Sequence, residues 1–190
     1  MDAKPTKRRR TRKPDSASVP NVEIASPDAT FLEAISVVEE KRTEEEVQIA
    51  GAKDAARAEV ETVINVLIEI AKNTRENAYA PYSGYCVGAA LLATDGTVYG
   101  GCNVENASYG MSICAERTAV VKAISEGVRD FEAIAVVTED AGTPCGACRQ
   151  FLSEFGTDTM VILADIHGHY TLTTVGELLP YAFRLTDVKS

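Results

Sequence analysis

The stretch AIAVVTEDAGTPCGACRQFLSEFGTDTMVILA, residues 133–164, decides the fold class. It opens on a short apolar run, Ala133–Thr138, and closes on another, Met160–Ala164. Apolar runs this short, bounded by turn formers, predict buried strands. Between them Pro144–Phe155 reads as a helix, with Pro144 suited to the first helical position and Gly156 to the stop. Strand, helix and strand in that order predict an α/β architecture.

Working outward towards the N-terminus, a helix is predicted from about Ile113 to Glu126, with Gly127 as its C-terminal cap. Before it, Tyr85–Ala93 and Thr97–Asn103 are strand-like, and Asp95-Gly96 between them is a strong hairpin signal. Further back, Val63, Leu67, Ile70 and Ala71 mark one face of a helix starting near Val60, with Ile64 beside them. That helix is expected to end before Pro81. Towards the C-terminus, a turn at His167-Gly168-His169 leads to a short strand, Tyr170–Thr173. Thr174 and Glu177 then have the spacing of a capping box. The order α-β-β-α-β-α-β-β-α predicts a three-layer α/β sandwich around one mixed sheet of about five strands.

The first 59 residues differ in character. Residues 1–27 hold the run KRRRTRK, four prolines and few large apolar side chains, and are expected to be a disordered basic tail. Such a run suits nuclear import or a nucleic-acid patch, and equally a plain solvated tail. A helix start is predicted at Ser26-Pro27, with Phe31, Ile35 and Val38 as a thin apolar stripe and a charged helix or linker over 28–59. Gly51 is expected to break it.

The 190 residues carry a net charge of −9. Residues 1–13 contribute seven basic side chains against Asp2, a balance of +6, so the rest of the chain stands at −15. An acidic body argues against phosphate-dominated binding of long nucleic acid. No apolar run reaches the roughly 18 residues of a membrane span, and no apolar core follows the N-terminal charges as in a secretory signal. Five cysteines without an export signal point to a reducing compartment, hence a cytoplasmic location, and to metal or catalytic thiols.

Three of the five cysteines form a constellation. Cys114 stands at the start of one predicted helix, and Cys145 and Cys148 at the start of another, 31 residues on. Residues i and i+3 share a face, so both sulfurs of the second helix can reach one ion. Helix N-termini favour the thiolate that metal binding needs. Three thiolates fill three corners of a zinc tetrahedron and leave the fourth for water, as in a catalytic site. Cys86 and Cys102 fall inside predicted strands and read as small buried hydrophobes. His167 and His169 read as an exposed hairpin tip. Glu116 diverges from Cys114 on the helix, so its carboxylate is placed to reach a bound water rather than the metal.

These residues resemble the small, homotetrameric, zinc-dependent cytidine deaminases. The likeness covers Ala80-Pro81-Tyr82-Ser83, Val87–Leu91, Asn103–Ala107, Cys114-Ala115-Glu116-Arg117-Thr118-Ala119, Pro144–Gln150 and Glu177–Pro180, in the family's order. It extends over about residues 60–188 and leaves out 1–59. The resemblance implies hydrolysis of cytidine and 2′-deoxycytidine to uridine and 2′-deoxyuridine with release of ammonia, a pyrimidine-salvage reaction. It gives Cys114, Cys145 and Cys148 to zinc, which activates the water that adds at C4, and gives Glu116 the proton transfers to N3 and the leaving amine. Arg117 would hydrogen-bond the thiolates, and Asn103 and Glu105 would bind the ribose. Tyr85, where the family usually has Phe, would lie near the base, and its hydroxyl then needs a partner. The Ala115 backbone would meet the pyrimidine edge. Ala107, Tyr109 and Phe183 would reach the pocket of a neighbouring subunit in the homotetramer.

Three rival readings differ in what they require. A relative acting on another aminated pyrimidine, such as a blasticidin-type nucleoside, would share the zinc chemistry, but Asn103 and Glu105 favour plain ribosides. A nucleic-acid cytosine deaminase usually has His where Cys114 stands. A zinc-binding interaction module would fill the fourth corner and have no use for Glu116.

Overall fold

In the computed structural model, residues 29–185 are described. The basic tail 1–27, the start at Ser26-Pro27 and the side chains of Phe31, Ile35 and Val38 lie outside what is described. The chain divides into two compact units, Met1–Ile49 and Ala50–Ser190, and the second holds the entire sheet.

Helix α1 runs Ala29–Arg75 without interruption, so Gly51 does not break it. One glycine in a helix costs only about 1 kcal/mol relative to Ala. Its neighbours Ala50, Ala52, Lys53, Ala55 and Ala56 are strong helix formers or neutral, and continuation wins. The buried face of α1 is Ile64, Leu67, Ile68 and Ala71, at i, i+3, i+4 and i+7. The face expected from Val63 and Ile70 is therefore turned by one position: Val63 is exposed and Ile70 only half-buried. Both sets have helical spacing, and only packing against the sheet chooses between them.

The strands are β1 Gly88–Ala93, β2 Val98–Cys102, β3 Phe131–Val137, β4 Met160–Ala164 and β5 Tyr170–Thr174. They form one sheet in the order β2-β1-β3-β4-β5, with β3 and β4 parallel and the other pairs antiparallel. This is the mixed five-stranded sheet that the sequence predicts. β1 begins three residues later than expected, because Tyr85 and Val87 bond instead to Asn103 and Cys86 to Arg75. β3 begins two residues earlier, at Phe131.

Side chains alternate across the sheet. Leu91, Ile134, Val136, Val161 and Leu163 pack beneath helix α2 (Ala115–Ser125) and helix α3 (Gly146–Ser153). Ala90, Ala135, Val137, Ile162 and Ala164 face Ile64, Leu67, Ile68 and Ala71 of α1. The result is three layers with a core on each side of the sheet. Alanines dominate the α1 face, so that helix lies close: a Cβ on Gly88 would sit 1.9 Å from the Ala71 carbonyl oxygen. On the other face a Cβ on Gly101 would sit 2.5 Å from the Ala119 nitrogen and 2.6 Å from the Ala115 oxygen. Glycine at 101 thus sets how deeply the start of α2 rests on the sheet.

Helix ends follow the sequence signals with one shift. Gly127 takes φ 92° after α2, as a C-terminal cap requires. The last helix, α4 (Val175–Leu178), carries the full Thr174–Glu177 capping box. In α3, however, Cys145 is the N-cap, and Pro144 stands one residue before it rather than at the first helical position. Among the described residues, no helix is long and apolar enough to cross a membrane.

Candidate active site

Two helix N-termini meet at the sulfurs. Cys114 caps α2 and Cys145 caps α3, both in extended backbone conformation, and Cys148 lies in the first turn of α3. The Cys114 and Cys145 sulfurs are 3.8 Å apart, and all three sulfurs lie within 4.8 Å of one another. Three sulfurs at zinc–thiolate bond length and tetrahedral angle are about 3.8 Å apart, so the donor set fits this ion. Cys148 is fully buried, Cys114 half-buried and Cys145 exposed. One side of the triangle is therefore open and the other closed by protein.

The electrostatics suit a cation. The hydrogen bond from Cys148 first, then those of Arg117 and Cys145, bring the Cys114 thiol down to about 5 against the effect of burial. Cys148, as the partner that donates to Cys114, is pushed up instead, with burial adding to it. A metal bound here would displace protons from the thiols. Arg117 Nη2 donates to the Ser112 carbonyl at 3.2 Å and lies 3.8 Å from the Cys114 sulfur. Among the described residues its Nε is buried without a partner.

Glu116, in the first turn of α2, is 4% exposed. Burial pushes its carboxyl above the usual carboxylate range, and the neighbouring Cys114 charge pushes the same way. A carboxyl whose acid form is favoured by burial is suited to deliver a proton.

Glu116, Cys114 and Cys145 line a cavity of about 270 Å³ that Tyr85, Asn103 and Glu105 line as well. Asn103 Oδ1 accepts from the Val87 N–H at 2.8 Å, and its Nδ2 donates to the Tyr85 carbonyl at 2.8 Å. Glu105 accepts from the Tyr82 and Ser83 N–H groups at 2.8 and 3.2 Å and from the Ser83 hydroxyl at 2.5 Å. The Ser83 hydroxyl and these amides hold its carboxyl below the usual range. Tyr85 donates its hydroxyl to Asp140 Oδ1 at 2.7 Å, which supplies the partner that its ring position demands.

The structure does not bring every expected residue to this cavity. Ala115 is buried just behind it, between the lining residues Cys114 and Glu116. Ala107, Tyr109 and Phe183 are exposed and outside it. Tyr109 lines a second hollow, where it meets the Tyr82 ring edge-on at 6.1 Å and which shares Ser83, Glu105 and Ser112 with the first. Cys86 and Cys102 are half-buried and remain apart from the three-sulfur cluster, and His167 and His169 form a turn against Asp165. The sequence reading missed Thr138, Asp140 and Thr143, which line or border the cavity from the β3–α3 loop. Their one signal was position, between a buried strand and Pro144-Cys145.

An α/β sandwich that points two helix N-termini and three thiolates at an open corner, with a buried carboxyl beside it, defines a zinc-dependent hydrolytic centre. Residues 61–164 match the family described as cytidine and deoxycytidylate deaminase zinc-binding region. Cytidine deaminase of Sporosarcina psychrophila is 53% identical over 128 residues, 66% of this chain and 94% of that protein. The enzyme of Halalkalibacterium halodurans is 54% identical over 126 residues, 65% of this chain and 96% of that protein. The crystal structure of cytidine deaminase from Burkholderia pseudomallei superposes with a TM-score of 0.60 at 54% identity, covering 62% of this chain and 97% of that one. The chain belongs to the zinc-dependent cytidine deaminase family.

Proposed function

We propose that this chain catalyses the hydrolytic deamination of cytidine and 2′-deoxycytidine to uridine and 2′-deoxyuridine, releasing ammonia, in pyrimidine salvage. The observation that carries this reading is the buried Glu116 beside three thiolates on one cavity. Cys114, Cys145 and Cys148 hold the zinc. When bound, the ion supplies Lewis-acid activation of water near neutral pH. Arg117 and the N-termini of α2 and α3 offset the negative charge of three thiolates.

Glu116 does the proton work. A neutral pyrimidine resists addition at C4, because the ring nitrogen N3 would become an anion. A proton given to N3 by the Glu116 carboxyl removes that charge as the oxygen adds. The carboxylate then takes one proton from the added water and passes it to the leaving amine, and takes the second as the C4 oxygen becomes the carbonyl, which restores the Glu116 acid. Water and cytidine are thereby balanced by uridine and ammonia.

Glu105 and Asn103 hold the ribose, chiefly its 3′-hydroxyl, so deoxycytidine is accepted and free cytosine is poor. Each has bonding capacity left after its protein contacts: Asn103 one N–H and one lone pair, Glu105 one lone pair on Oε1. Tyr85 lies along the base and the Ala115 backbone meets its edge. The active enzyme is a cytoplasmic homotetramer in which Ala107, Tyr109 and Phe183 complete a neighbour's pocket. Their exposure supports this, since Tyr109 is 77% and Phe183 63% exposed.

The test is ammonia release from cytidine by the zinc-loaded protein, with metal content measured in parallel. Cytidine is turned over and Cys145→Ala loses both zinc and activity. A Cys145→Ala protein with native zinc affinity overturns the ligand assignment, and absence of turnover overturns the reaction. Sedimentation reads the assembly: a fully active 20.4 kDa monomer at assay concentration overturns the shared site.

A further inference from the structure

The loop between β3 and α3 runs from Thr138 to Pro144 and delivers Cys145 to the metal site. Tyr85 lines the same cavity beside this loop, in the segment that also bonds Asn103 and, through Ser83, Glu105. The Tyr85 hydroxyl meets this loop at Thr138 and at one carboxylate oxygen, Asp140 Oδ1. It accepts from the Tyr85 hydroxyl at 2.7 Å and from Thr138 Oγ1 at 3.1 Å. Thr138 in turn accepts from the Gly142 N–H at 2.6 Å, which folds the loop back on itself. Thr138 is 3% exposed, so this end of the latch is anchored in the core. Gly142 also makes room for it: a Cβ there would lie 2.7 Å from the Tyr85 hydroxyl oxygen.

We infer that Asp140 is a positioning residue, which holds the Tyr85 ring by its hydroxyl and so fixes the distance between the ribose-binding segment and the zinc-bearing loop. A ring anchored only at its Cα end can swing about χ1 and χ2. A second anchor at the far end removes that freedom before substrate arrives, which lowers the ordering cost of binding. Asp140 is held below its usual carboxylate range by the Tyr85 hydroxyl first and Thr138 second, so it is the acceptor at neutral pH. The latch therefore acts on substrate affinity and leaves the proton chemistry at Glu116 unchanged. This rests on the reading of the cavity as a cytidine site, but the latch itself is testable without substrate.

The experiment is a double-mutant cycle on zinc-loaded protein, with Tyr85→Phe, Asp140→Ala and the double variant. Urea midpoints report the latch. Each single change lowers the midpoint, and the double variant falls no further than the larger single. Additive losses would overturn the bond. Steady-state kinetics report positioning. Asp140→Ala raises KM for cytidine by about two- to tenfold, the worth of one hydrogen bond, with kcat and zinc content held. In the Tyr85→Phe background the same change adds nothing, and Asp140→Asn, which keeps an oxygen acceptor, restores KM. Equal KM increases in both backgrounds, or a fall in kcat alone, would overturn the inference. If urea shows the coupling but wild type does not deaminate cytidine, the reaction assignment fails and the latch stands.

Discussion

The cavity has two sets of lining residues, a metal end at the cysteines and a second end around Glu105, and they are built by different physics. At the metal end, Cys148, Glu116 and Ala115 are buried on helices that rest on the sheet core through Gly101 and Ala119. At the end proposed for the ribose, Ser83 and Tyr85 are exposed and Glu105 half-buried; all three lie outside the named helices and strands and are held by side-chain-to-backbone hydrogen bonds among themselves and from Asn103. Reaction chemistry needs groups fixed to fractions of an ångström and moved out of water, which a packed core supplies. Recognition needs donors and acceptors with bonding capacity left for substrate. Damage at the first end should therefore appear in kcat, and damage at the second in KM.

Glu116→Gln is the largest break. It keeps the size and loses the acid–base function, so kcat falls by at least about 10²- to 10⁴-fold while KM stays close. The three thiolates are untouched, and zinc content remains one per chain. A variant that retains zinc and turns over cytidine within a few-fold of wild type would remove the proton shuttle from the metal end.

Glu105→Gln tests the other end. The amide keeps one oxygen for the Tyr82 and Ser83 N–H groups and loses the charge that strengthens a hydrogen bond to substrate. KM for cytidine rises by about ten- to a hundredfold, with a much smaller change in kcat and none in zinc. Loss of zinc in this variant would show that the two ends are one cooperative structure and would dissolve the contrast.

The same contrast explains what was legible in the sequence. The five strands, the Gly127 cap, the Thr174–Glu177 capping box and the cysteine triad rest on local patterns, and each is present. Glu116 could be assigned a role because its offset from Cys114 is fixed by helix geometry. The face of α1 could not, since Ile64-Leu67-Ile68-Ala71 and Val63-Leu67-Ile70-Ala71 share the same periodicity, and the choice is made by alanines far along the chain. Asp140 left no trace either. Its partner Tyr85 is 55 residues away, and an Asp in a loop after a strand is the commonest of solvated residues. Sites built on elements can be read from spacing, whereas sites built on loop-to-loop bonds need coordinates.

The smallest effect concerns whether amide-saturated carboxylates like Glu105 are a device of recognition or merely of folding. Asp165 supplies the control. It too is a loop carboxylate that accepts two backbone N–H groups, from His167 at 2.7 Å and His169 at 3.0 Å, but it lies in the β4–β5 turn and does not line the cavity. The His169 ring, 2.8 Å from its other oxygen, and then these amides bring its carboxyl down to about 2. A carboxyl that is more acidic in the folded state stabilises the fold when ionised. The contribution is fully present above the unfolded value near 3.8 and fades as pH falls through about 2. Asp165→Asn therefore lowers Tm slightly at pH 7, and the difference from wild type closes between pH 4 and 2, as read by thermal melts across that range. The value of kcat/KM for cytidine is unchanged. A deficit that persists undiminished at pH 2 would mean that the turn is held by geometry and not by charge. A loss of cytidine affinity would mean that saturating a carboxylate with amides stiffens the whole fold, and that Glu105 acts on substrate no more directly than Asp165 does.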